Sequence, residues 1–177
     1  MSPYGLTPSC TASRHKLENS NQPDTPTDRF LAHTLAVAEL YVSLAEAGRT
    51  DVLTLIGFHG EPACWWRDSE GEWIKPDASA VVSAGDIEDS WVIEVDNATE
   101  SLPTLRRKLA VYVGLAKNEE HGPDGGPLPR VLVTVPDERR LAAVRELVRS
   151  LPEPAGELFA VTIHGTTVEV ISKALHE

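Results

Sequence analysis

A chain of 177 residues is long enough for one domain with a sizeable core and too short for two comfortable ones. Its formal charge of −11, from 27 acidic against 16 basic side chains, excludes a protein whose whole surface embraces nucleic acid, because phosphate binding is driven by Lys and Arg releasing counterions. Two cysteines exclude a disulfide framework or a Cys-rich zinc site, and no run approaches the roughly 18 continuous apolar residues of a membrane span, so a cytoplasmic protein with no membrane partner is expected.

The charge is unevenly spread. Residues 1 to 100 carry 17 acidic and 6 basic side chains, whereas residues 101 to 177 are balanced and hold the runs Arg106, Arg107, Lys108 and Arg139, Arg140, Arg145, Arg149. A local basic face that contacts DNA remains open to those arginines, beside the ordinary reading of arginines as the solvated side of a helix.

Taken in order, residues 1 to 27 mix Pro, Ser, Thr and Asn without periodicity and predict a disordered or loosely docked tail, with a single α/β domain over 28 to 177. A helix is expected from about 29 to 47, capped by Thr27 or Asp28 and stopped by Gly48. Phe30, His33, Thr34, Val37, Leu40, Tyr41 and Leu44 fall on one stripe, and His33 reads there as a hydrogen-bonded core histidine. Leu35 and Val42 fall near Glu39 and Glu46, so a second apolar face exists that a homodimer would cover.

DVLTLIGF (51 to 58) and ACWWR (63 to 67) read as strands, with Cys64 a buried thiol. Trp65, Trp66 and Trp73 read as core residues rather than a base-stacking platform, since adjacent tryptophans on a strand face opposite ways. Strands are expected over Glu72 to Val82 and Ser90 to Asp96 as a hairpin, followed by a helix from Ser101 to about Lys117 whose apolar stripe is bordered by Lys108. A loop over 118 to 129, a buried strand at 130 to 135, a helix begun by Pro136 and Asp137, and a terminal hairpin of 158 to 163 with 167 to 171 complete the chain. This order predicts a mixed central sheet flanked by helices on both faces.

Ionisable groups interrupt this pattern where apolar ones are the rule. On a strand, residues i and i+2 share a face, so Glu94 and Asp96 present two carboxylates together, and Asp77 at the start of the preceding strand arrives beside them. Three converging oxygens suit Mg²⁺ or Mn²⁺, which polarises a phosphate and lowers the pKa of bound water. Lys108 is placed to orient that water or to stabilise developing charge. The plain alternative is a set of solvated acids with Lys108 snorkelling to pair with Asp96.

Lys75-Pro76-Asp77, Glu94-Val95-Asp96, Thr99-Glu100-Ser101 and Lys108-Leu109 with Tyr112, together with His33-Thr34-Leu35-Ala36-Val37, resemble the signature of the replication-relaxation proteins of actinobacterial plasmids and other mobile elements. The resemblance spans about residues 29 to 140. That family is in turn similar to the PD-(D/E)XK nucleases, which implies a restriction-endonuclease-like core, with Asp77 matching the PD aspartate and Glu94 the following acid. Asp96 stands where that motif has its lysine, and Lys108 on the next helix is the substitute the resemblance implies. Members commonly carry a winged helix-turn-helix before this part, which the short polar tail does not match. Two readings follow: a metal-dependent DNA endonuclease with Asp77, Glu94, Asp96 and Lys108 as its catalytic set, or a catalytically degenerate module that binds DNA or a DNA-associated protein.

Overall fold

The computed structural model describes residues 28–176. The expected tail lies outside them. In chain order the elements are α1 (Asp28–Arg49), β1 (Thr54–Gly60), β2 (Trp66–Arg67), β3 (Trp73–Ile74), β4 (Ala78–Ala84), β5 (Ile87–Val95), α2 (Leu102–Lys117), β6 (Arg130–Val135), α3 (Glu138–Arg149), the short α4 (Ala155–Leu158), β7 (Phe159–Ile163) and α5 (Thr167–Ala174), with 3₁₀ turns at Pro123–Gly125 and His164–Thr166.

Five strands form one mixed sheet in the order β1-β4-β5-β6-β7. β4 runs antiparallel to both β1 and β5, whereas β5, β6 and β7 are mutually parallel. The tight β4–β5 turn places Gly85 at φ +58, a left-handed position that glycine adopts without steric cost. Parallel neighbours need crossover helices, and α2 and α3 supply them.

The pleat then sorts side chains into two cores. Val92, Val131 and Val133 pack under Leu105, Leu109 and Tyr112 of α2 and Leu141 and Val144 of α3. On the other face Ala80, Val82, Trp91, Ile93 and Leu132 pack under Leu40 and Leu44 of α1 and Ile171 and Leu175 of α5. β6 is buried on both faces, so it reads as an unbroken apolar run. A mixed sheet covered on both sides is therefore present, as its element order implied.

Three local expectations are corrected. Residues 167 to 171 do not form a hairpin with β7: they begin α5, because Val168, Ile171 and Leu175 recur at helical spacing and bury against the sheet, overriding the strand preference of β-branched residues. β7 instead lies parallel to β6. The single strand expected over Glu72 to Val82 is two, since Pro76 lacks an N–H and ends the ladder. β3 pairs only with β2 in a separate ribbon, and the strand expected over 63 to 67 shrinks to Trp66–Arg67 behind a turn in which Ala63 and Cys64 donate to Gly60.

α1 has the length and apolarity of a membrane span, and one line of it, Leu40, Leu44 and Ala47, packs against the sheet while Leu31, Leu35 and Val42 are exposed. Its inward line runs from His33 through Ala36 and Val37 to Leu40, Leu44 and Ala47, while Phe30, Thr34 and Tyr41 of the expected stripe are exposed. Trp66 is buried, as expected, but Trp73 is half exposed and meets Trp65 edge-on, with Arg67 and Lys75 over the two rings.

Leu109 is fully buried and Val111 on the same helix is half exposed. Leu109→Ala is expected to cost about 2–5 kcal/mol in denaturant unfolding, and Val111→Ala less than about 0.5 kcal/mol. Equal effects would contradict this placement of α2.

Candidate functional site

The break at Pro76 turns Asp77 in against β5. Its N–H donates to the Ile93 carbonyl at 3.1 Å, and its Oδ2 accepts from the Val95 N–H at 2.6 Å. Ala78 lies opposite Ile93, so the next cross-strand neighbours are Asp77 and Glu94. Glu94 shares the parity of Val92 and faces α2. Both carboxylates are buried, with Glu94 only 1% exposed.

α2 brings the compensating groups. Ser101 caps it by accepting from the Thr104 N–H, and Pro103 sits in its first turn. The phase set there puts Lys108 at the border of the apolar stripe and Tyr112 one turn on. Lys108 Nζ lies 3.4 Å from Asp77 Oδ1 and pairs directly with Glu94 Oε2. Tyr112 donates its hydroxyl to Glu94 Oε1. From the opposite face, α1 directs His33 Nε2 to 3.5 Å from Asp77 Oδ1. Asp77 is thus reached from both layers of the fold.

Asp96 shares Glu94's face, as the i, i+2 spacing requires, and lines the same cleft. Its partner is Arg140 of α3, whose Nε lies 2.6 Å from Oδ2 and whose terminal nitrogen lies 3.2 Å from Oδ1. Oδ1 also accepts from the Ala98 N–H at 2.9 Å. Both oxygens of Asp96 are therefore engaged by the protein itself. His33, Asp77, Glu94, Asp96 and Lys108 line a cleft of about 370 Å³ at the end of the sheet, as does Arg29.

The electrostatics follow from burial and spacing. Burial pushes the Glu94 carboxyl up to about 8, against the pull of the Lys108 charge. Burial would also raise Asp77, but the hydrogen bond from His33, the Lys108 charge and the Val95 N–H together hold it below the usual carboxylate range. Burial works to lower Lys108, and the Glu94 and Asp77 charges overcome it, keeping the ammonium protonated. His33 is raised by its hydrogen bond to Asp77.

Of the arginines considered for DNA, Arg140 is committed to Asp96 and to the Glu100 carbonyl, Arg145 donates to the Val161 carbonyl, Arg106 to Ser150 and Arg149 to Glu146. Arg107 is exposed and donates to Thr104 Oγ1 at 3.3 Å. Arg139 is exposed as well. The reading of His33 as a core histidine missed its place at the cleft. Its signal was its position one and two turns before the partly buried Ala36 and Val37 and the buried Leu40, where the inward stripe runs past the edge of the sheet.

The profile of the replication-relaxation family matches residues 4–131. The chain belongs to the replication-relaxation family. The part of this family member that is matched holds α1, the ribbon, β4, β5 and α2, and so includes Asp77, Glu94, Lys108 and Tyr112, while Arg140 lies beyond it. No curated protein and no solved structure matches the chain.

The buried pair has opposite pH signs. Glu94, raised above its ordinary 4.5, keeps its proton in the folded protein where the unfolded chain has lost it, so stability falls as pH rises from about 4.5 to about 8. Asp77, held low, contributes stability that is lost only in acid. In thermal or urea unfolding, wild-type protein should lose up to about 1.4 kcal/mol per pH unit relative to Glu94→Gln across that interval, with the difference levelling off above it. Parallel pH profiles for the two proteins would show that Glu94 does not titrate there.

Proposed function

We propose that this replication-relaxation protein acts on DNA during replication or transfer of a plasmid or other mobile element, hydrolysing a phosphodiester at the Asp77–Glu94–Lys108 cleft with Mg²⁺ or Mn²⁺. The observation that carries this reading is the convergence of two buried carboxylates from neighbouring strands and one lysine from the following helix on an open cleft. A pair built only for stability gains nothing from such an opening, and buried ion pairs contribute little to stability in any case. The order of helix, antiparallel strands, helix and parallel strand supports the likeness to PD-(D/E)XK nucleases, with Lys108 in the role of the lysine that Asp96 replaces.

A divalent cation held by carboxylates supplies Lewis-acid polarisation of a phosphate and a bound water acidic enough to attack it. The protein's own groups would do the rest. Asp77 is fixed by the Val95 N–H and presents Oδ1 to the cleft. Tyr112 orients Glu94 through Oε1. Lys108, about a third exposed, can release one carboxylate and meet the negative charge that develops on phosphate oxygen. Arg29, anchored to the Thr99 carbonyl, offers a cation to the backbone of a bound strand.

A second reading has its own support. Lys108 already neutralises both carboxylates and Arg140 closes Asp96, an arrangement that also suits a degenerate nuclease fold binding DNA or a DNA-associated protein. Incubation of plasmid, single-stranded and branched DNA with Mg²⁺ or Mn²⁺ separates the two. Hydrolysis predicts cleavage that drops at least about 100-fold in Asp77→Ala, Glu94→Gln and Lys108→Ala proteins whose circular dichroism is unchanged. Intact DNA throughout, with salt-sensitive retention of DNA in a shift assay, would favour the second reading.

A further inference from the structure

A second set of donors meets on the other side of Asp77. His33 comes from the inward line of α1, and Glu61 from the turn that links β1 to the ribbon. One ligand atom each from His33, Glu61 and Asp77 lies within 4.8 Å of the others. Asp77 Oδ2 is held by the Val95 N–H, which leaves Oδ1 as the oxygen turned toward His33.

We propose that His33, Glu61 and Asp77 form a divalent-cation site of transition-metal character, which takes Mn²⁺ or Zn²⁺ in preference to Mg²⁺. It draws on the hydrolytic reading only for the use to which a cation is put; binding itself requires no DNA chemistry.

Competition for oxygens supports this placement. Glu94 is engaged by Lys108 and Tyr112, and Asp96 by Arg140 and the Ala98 N–H, so a cation among them must first displace those groups, whereas Asp77 Oδ1 has only a longer, 3.4 Å contact with Lys108 besides His33. Glu61, in contrast, is exposed, and no lysine or arginine pairs with it among the described residues.

The donor types decide the class of metal. Mg²⁺ favours an all-oxygen octahedron, whereas imidazole nitrogen beside carboxylate oxygen suits first-row transition ions. With metal–ligand distances of about 2.0–2.2 Å, bound donors stand roughly 3–4 Å apart, so closing the set needs a shift on the order of 1 Å. The exposed Glu61 side chain can make it by changing rotamer. Three protein ligands, two of which line the cleft while the third is exposed, leave further positions for water or a phosphate oxygen, the hallmark of a reactive rather than a structural site.

Calorimetric titration of the full chain with Mn²⁺, Zn²⁺ and Mg²⁺, with electron paramagnetic resonance of Mn²⁺ as a second readout, tests the assignment. Wild-type protein is expected to bind Mn²⁺ and Zn²⁺ more tightly than Mg²⁺. His33→Ala and Glu61→Gln should each weaken Mn²⁺ binding at least about tenfold, the lower bound seen even for groups that only support a ligand. His33→Ala should also erase the preference over Mg²⁺. Both residues are partly exposed, so unchanged melting curves are expected and are recorded alongside. A smaller loss in either variant, or no binding of Mn²⁺ or Zn²⁺ by wild-type protein, overturns the site and leaves His33–Asp77 a plain hydrogen bond. DNA cleavage is scored separately: tight metal binding with intact DNA would remove the hydrolytic reading while leaving the cation site in place.

Discussion

Lys108 is the group on which the cleft depends. Two carboxylates removed from water beside each other repel strongly in a medium that screens poorly, and one of them must be protonated or matched by a cation. Lys108 reaches both, and Tyr112 satisfies the oxygen of Glu94 that Lys108 does not. That arrangement is set by three modest local choices. Pro76 ends the ribbon and turns Asp77 inward, the β4–β5 register places Asp77 opposite Glu94, and the Ser101 cap fixes the rotation of α2. Slipping the register by one residue would send Glu94 to the α1 face and leave it among Leu40 and Leu44.

Asp77 differs from the other acids in being open to both layers. Glu94 is a property of the α2 side of the sheet, and Asp96 is tied to α3 through Arg140. Asp77 stands where β4 begins, so α1 and α2 approach it from opposite faces through His33 and Lys108. A sheet end where helices from both layers converge is also where α/β folds generally gather ligands. The excess of acids in the first hundred residues therefore has a local meaning: several of them surround one cleft, and the basic groups that answer them come from α1, α2 and α3.

Much of this was legible in the sequence, for identifiable reasons. Val131 to Val135 is a short apolar run bounded by turn residues and Leu102 to Ala116 carries a helical period, and Asp77, Glu94 and Lys108 stood out because charge sat where core was due. The border position of Lys108 on the helix wheel translated directly into a side chain that reaches the strands. Residues 167 to 171 misled because Val, Ile and Thr favour strands locally, whereas the space left beside α1 admits a helix. Partner choice was the least legible. Arg140 belongs to an amphipathic helix whose pattern gives no hint that one arginine folds back onto Asp96, and pairing across 44 residues leaves no periodic trace. His33 was visible as a stripe member, but its neighbours across the cleft were not.

The family profile ends at residue 131, two residues into β6. Yet β5, the strand that carries Glu94, is hydrogen-bonded along β6 from Trp91 to Val95, and Val92 and Ile93 each lose a wall if β6 is taken away. The segment that bears the family's recognisable pattern is thus not a folding unit. A fragment cut at that boundary would expose a long apolar strand edge ready to pair with another chain, and it would strip Asp96 of Arg140. In this protein the matched segment and the cooperative unit draw their borders at different residues, and the chain beyond residue 131 carries structural responsibility for a site whose carboxylates lie before it.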